Sequence, residues 1–84
     1  MSEWFMYVVR CADGSLYAGV TTSIERRILE HNFSMRGAKY TRSRRPVELV
    51  YSIKCISHSD ALKREYAFKK LSKIKKEAFC KSQK

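Results

Sequence analysis

The run Trp4-Phe5-Met6-Tyr7-Val8-Val9-Arg10 constrains the fold more than any other stretch of the chain, because aromatic and β-branched residues in succession favour extended backbone. Asp13-Gly14 follows closely, and then a second short run, Leu16-Tyr17-Ala18-Gly19-Val20. Two such runs around an Asp-Gly pair predict a β-hairpin. Its register is open at this level. A two-residue turn at Asp13-Gly14 puts Tyr7 and Tyr17 on opposite faces, whereas a three-residue loop from Asp13 to Ser15 puts both on one face, since strand side chains alternate.

Downstream, Thr22-Ser23-Ile24-Glu25 has the T-x-x-E form of a capping box, so a helix is expected from about Ser23 to about Phe33. Helical spacing gathers Ile24, Arg27, Ile28 and His31 into one arc, an unusual face for a plain core helix. From Ser34 to Arg45 the periodicity is lost and a loop is expected, with Gly37 early and Arg44-Arg45-Pro46 late. The alternation Val47, Leu49, Tyr51, Ile53 against Glu48, Val50, Ser52, Lys54 has the period of a strand. Ser57 or Ser59 can cap a helix reaching about Leu71, with Ala61, Leu62, Glu65 and Phe68 along its inner side. A short last helix from Ser72 should turn Ile74, Ala78 and Phe79 inward. No repeat, linker or low-complexity tract interrupts this order.

A chain of 84 residues can bury a single core, so one domain spanning residues 1–84 is expected. Its fold class is α/β (α+β): a small three-stranded antiparallel sheet flanked by three helices. No apolar run approaches the roughly 18 residues of a membrane span, and Met1-Ser2-Glu3-Trp4 lacks the basic start of a secretory signal. A cytoplasmic protein with no membrane partner and no obligate protein partner is the expectation. Cys11, Cys55 and Cys80 are odd in number and form no C-x-x-C pair, so they read as reduced, packed thiols.

Charge identifies the class of partner. The net charge is +10, and it is unevenly placed: residues 1–35 hold three arginines against four acids, and residues 36–84 hold 15 cations against four acids. A polyanion, nucleic acid before acidic membrane, is the expected partner. Arg36, Lys39, Arg42, Arg44 and Arg45 stand within ten residues that contain no acid, and are expected to be the main contacts to a phosphate backbone; the lysines Lys69, Lys70, Lys73 and Lys76 are the competing surface.

Glu65 is the acid hardest to account for by packing, because it falls inside the inner stripe of its helix. Burying a carboxylate costs several kcal/mol unless it is paired or binds a cation. It can pair with Arg27, or it can hold Mg²⁺, which needs few protein ligands and keeps its waters. Arg27 correspondingly is either that partner or a phosphate clamp, and His31 either a satisfied core group or a proton-transfer helper.

Taken in order, these residues resemble the GIY-YIG nuclease superfamily. Phe5-Met6-Tyr7 and Tyr17-Ala18-Gly19 correspond to its paired motifs, followed by Arg27, His31 and Glu65 at the superfamily's spacing, a likeness from about Phe5 to Lys76. It is closest to the small stand-alone single-domain bacterial members. The resemblance implies a metal-dependent endonuclease that hydrolyses phosphodiester bonds in nucleic acid, DNA more than RNA. In that reading Tyr7 activates water as phenolate or through a water. Arg27 steadies the nucleophile and the charge on phosphorus, Glu65 holds one divalent ion, Mg²⁺ with Mn²⁺ as the alternative, and Tyr17 and His31 position water or share the proton. The alternative is a nucleic-acid-binding module on the same scaffold, without turnover.

Overall fold

Extended backbone does form where the aromatic run lies. The computed structural model describes residues 3–82, in which β1 (Trp4–Arg10) pairs antiparallel with β2 (Leu16–Thr21) and with β3 (Glu48–Cys55), giving the sheet order β2-β1-β3. The hairpin adopts neither expected register. Tyr7 pairs with Gly19 and Val9 with Tyr17, and the Cys11 amide donates to the Ser15 carbonyl, so the loop is Ala12-Asp13-Gly14, one position earlier than the odd-length alternative. Gly14 takes the left-handed conformation at φ 87°, where only glycine is free of strain. An odd loop keeps Tyr7 and Tyr17 on the same face.

α1 (Ile24–Phe33) begins as expected, but its cap is Ser23, whose side chain accepts from the Arg26 amide, and not Thr22. Four helices are present among the described residues where three were expected, because α2 (Lys39–Arg42) forms inside the segment read as loop. α3 (His58–Lys69) is capped by Ser57 and α4 runs over Lys73–Ser82. No helix among the described residues is long and apolar enough to cross a membrane.

The sheet separates two apolar clusters. On one face Met6, Val8 and Ala18 pack with Ala61, Phe68 and Cys80 beneath α3 and α4. On the other, Tyr7, Val9, Cys11 and Val47 meet Ile24 and Ile28 of α1. β3 feeds the first cluster through Val50, Tyr51, Ile53 and Cys55, while Val47, just before it, joins the second; the pairing of β3 with β1 slips by one residue between Val8↔Tyr51 and Val9↔Leu49. That bulge breaks the alternation seen in the sequence: Val47 packs with Tyr7, Tyr51 and Ile53 pack with Met6, and Leu49 is left exposed. Leu62 and Ile74, expected inside, are also exposed.

α1 is tied down at its far end. The Asn32 side chain accepts from the Val47 amide at 2.7 Å and donates to the Val47 carbonyl at 3.1 Å, which mimics a strand pair between helix and sheet. The Arg45 guanidinium donates to the carbonyls of His31 and Ser34 at the end of α1, and to that of Glu30, which also accepts from the Ser34 amide. Gly37 is buried against α1, where a Cβ would stand 2.7 Å from the Glu30 carbonyl oxygen.

Candidate active site

β1 aims Tyr7 at α1, and α1 meets it with His31 four residues after Arg27. The Tyr7 Oη lies 2.7 Å from His31 Nε2, and both residues are buried, at 1% and 0% exposure. This contact needs Gly19. Directly opposite Tyr7 on β2, a Cβ at that position would lie 2.5 Å from the phenol oxygen. Tyr17, on the same sheet face, sets its ring edge-on to His31 with centroids 5.6 Å apart.

The other imidazole nitrogen is held by α2. Thr41 Oγ1 is 3.0 Å from His31 Nδ1, and the Ala38 amide donates to the same nitrogen at 3.3 Å. A backbone amide can only donate, so the hydrogen-bond network assigns Nδ1 as the acceptor. The Thr41 hydroxyl also lies 2.9 Å from the Ala38 carbonyl, to which it donates, so its single proton is shared between that oxygen and Nδ1. Burial pushes the imidazole down to about 4, with the Arg27 charge acting in the same direction, so the ring is neutral and its proton resides on Nε2. His31 therefore donates to the Tyr7 oxygen.

Burial pushes the Tyr7 phenol up to about 12, against a hydrogen bond and a favourable charge from Arg27. The Glu65 charge adds the smallest of the upward pushes. Arg27 also donates to Glu30 Oε1 and to the Arg36 carbonyl, both at 2.8 Å, so its fork is held in place from two sides. The pairing of Glu65 with Arg27, open in the sequence, does not occur. Glu65 instead faces Lys69 at 3.4 Å; it keeps its place on the inner side of α3 between buried Ala61 and Phe68, with 19% of its side chain exposed. Lys69 in turn sits 5.7 Å over the Tyr17 ring. Tyr7, Tyr17, Arg27 and His31 thus form one cluster, with Glu65 at its edge.

Among the described residues no three His, Cys, Asp or Glu side chains gather as a metal site. Glu65 by itself fits a hard divalent ion that keeps several waters: it offers carboxylate oxygen at the surface, opposed only by a flexible lysine.

The basic segment divides. Arg36, Lys39 and Arg42 are exposed. Arg44 is bound to Asp13 Oδ2 at 3.0 Å and to the Tyr40 carbonyl at 2.8 Å, and Arg45 serves the end of α1. The segment holds no acid of its own, but the hairpin loop brings Asp13 to it. Thr41, Ala38 and Tyr40 were missed in the sequence, because an aperiodic basic stretch gives no sign that its middle folds back under a histidine ten residues earlier.

The chain matches the GIY-YIG catalytic domain family over residues 3–78. It is similar to a UPF0213 protein of Desulfotalea psychrophila, 60% identical over 79 residues that cover 94% of this chain and 72% of the relative. A UPF0213 protein of Staphylococcus saprophyticus is 51% identical over 76 residues, covering 90% of this chain and 92% of the relative. Among solved structures, the solution structure of the Enterococcus faecalis protein EF2693 is 44% identical and covers 98% of this chain and 86% of its own, at a TM-score of 0.65. That of a UPF0213 protein from Bacillus halodurans is also 44% identical, covering 92% and 81%, at a TM-score of 0.59. Arriving at the same motifs that the hairpin and α1 bring together, these matches establish that the chain belongs to the GIY-YIG family.

Proposed function

We propose that the chain is a metal-dependent endonuclease that hydrolyses phosphodiester bonds in nucleic acid, DNA in preference to RNA. The observation that carries this reading is the convergence of a phenol, a neutral imidazole and a fixed guanidinium on one oxygen, that of Tyr7. Nε2–H of His31 and Arg27 both donate toward it, which is the environment a phenolate requires.

Tyr7 is then the general base for the attacking water. With 1% of its surface exposed, its oxygen is closed to a substrate chain. Arg27 would steady the nucleophile and the charge that develops on phosphorus, and Tyr17 would position the water. His31 stays neutral and holds the Tyr7 oxygen in place. Glu65 would hold a divalent ion, Mg²⁺ or Mn²⁺, which when bound supplies positive charge to the leaving oxygen and lowers the phenol. Arg36, Lys39 and Arg42 supply general phosphate attraction.

A second reading, a binding module without turnover, is favoured by one observation: the phenol is buried and pushed up, so it is protonated near neutrality. Cleavage assays on branched, flapped, single-stranded and duplex substrates, in Mg²⁺ or Mn²⁺ and in EDTA, separate the two. The endonuclease cleaves with metal and not in EDTA, and Glu65→Gln abolishes cleavage while leaving nucleic-acid binding intact. Binding without cleavage of any substrate would select the module.

A further inference from the structure

We infer that the cleft between α4 and the tip of the hairpin is a second phosphate site, one that holds the substrate strand beside the reacting phosphate. This rests on the nucleic-acid reading given above for the identity of the polyanion.

The cleft has a volume of about 210 Å³ and is lined by Ser15, Leu16, Tyr40, Lys73, Lys76 and Glu77. Its acid is already engaged. Glu77 receives both forks of Arg10, at 2.6 and 2.9 Å, and that hydrogen bonding holds its carboxyl below the usual range. The same pair clamps α4 to β1. Lys73 and Lys76, three residues apart on α4, both line the cleft, and among the described residues neither makes an ion pair within 4 Å, the Lys76 ammonium standing 5.8 Å from the centre of the Phe68 ring. Two cations in a concave, partly apolar site, with the local acid neutralised, suit a phosphate diester better than a free carboxylate surface would.

Position connects this cleft to the candidate active site. Tyr40, one of its walls, stacks on Tyr17 with centroids 5.7 Å apart and planes 20° from parallel, and Tyr17 in turn abuts His31. Tyr40 is itself fixed: Arg44 covers its other face at 3.9 Å and is anchored to Asp13. Tyr40 therefore stands in contact with both, stacked on Tyr17 of the reacting cluster and lining the cleft that holds the pair of lysines. The other basic segment is less well suited to this role, since Arg44 and Arg45 are committed to protein partners.

The test is binding in EDTA, where no cleavage intervenes, of a fluorescein-labelled DNA duplex across a salt series. Each phosphate contact adds about −0.9 to the slope of log affinity against log salt. Lys73→Ala/Lys76→Ala should flatten the slope by about two units, so that its affinity gap to the wild type narrows about tenfold between 50 and 200 mM salt. Lys63→Ala/Lys81→Ala removes the same charge elsewhere and should leave the slope within about half a unit of the wild type. As a second readout, duplex should shift the backbone amide resonances of Ser15 and Leu16 in the wild type and not in the Lys73/Lys76 variant. Equal slopes for the two double variants, or a wild type that binds no duplex, would overturn the site. A wild type that cleaves although the slopes are equal removes this inference alone. One that never cleaves although the slopes differ keeps the site and removes the nuclease reading.

Discussion

Tyr7 and Gly19 face each other across the β1–β2 ladder, and the phenol oxygen occupies the space that any Cβ on Gly19 would need, 2.5 Å away. The glycine is there for room and not for a special backbone conformation; Gly14 is the one with positive φ. Gly19→Ala should displace the phenol from His31 and cost about 1–3 kcal/mol in stability, as overpacking of a buried site does. Chemical denaturation measures the loss, and an unchanged midpoint would mean that the two strands separate easily at this point.

Removing the phenol oxygen asks a different question. Tyr7→Phe keeps the ring but leaves the buried His31 N–H without its acceptor, at a cost of about 1–3 kcal/mol. Cleavage should fall by about 10² to 10⁴, the usual contribution of a general base. A folded Phe variant with wild-type turnover would assign the base elsewhere.

The pH dependence of stability follows from His31. Its folded pKa of about 4 lies below the ordinary 6.5, so the unfolded chain binds more protons between those values. The contribution is complete above pH 6.5 and is lost as pH falls toward 4, up to about 3 kcal/mol. Comparing unfolding at pH 6.5 and 5, above the carboxylate range, should show the wild type losing stability and His31→Asn losing much less. Equal losses would place the titrating group elsewhere.

The same pKa values set the rate profile. A Tyr7 base works as phenolate, so log kcat/KM should rise with unit slope from pH 6 upward, toward a metal-lowered value below about 12. His31, already neutral above about pH 5, adds no break near 6.5. A flat profile would mean that Tyr7 relays a proton without ionising.

Arg45 and Arg42, three residues apart in the basic segment, should behave oppositely. Arg45→Ala strips donors from the carbonyls at the end of α1 and should destabilise by about 1–3 kcal/mol. Arg42→Ala, at an exposed site, should stay within about 0.5 kcal/mol in stability and should weaken nucleic-acid binding. Thermal melts of the two variants check this directly, and equal melting temperatures would contradict the capping role.

Local patterning by itself determined the hairpin, the start of α1, the strand after Pro46 and the helix capped by Ser57, because each depends on neighbours in the chain. It also grouped Arg27 and His31 on one helical face, and the order of motifs identified the family. Tertiary structure alone decided the rest. The shift of the loop to Ala12–Gly14 depends on how β1 and β2 pair along their whole length, and the bulge opposite Val8 and Val9 depends on how β3 pairs with β1. Periodicity placed Glu65 correctly on the inner side of α3 with Ala61 and Phe68, but it also placed Leu62 there, and packing leaves Leu62 exposed and gives Glu65 Lys69 as its partner in place of Arg27. Thr41 beneath His31, Asp13 on Arg44 and Arg45 at the end of α1 are contacts between segments ten or more residues apart. No local pattern encodes them, because they arise only when the hairpin, α1 and α2 are brought together around one buried imidazole.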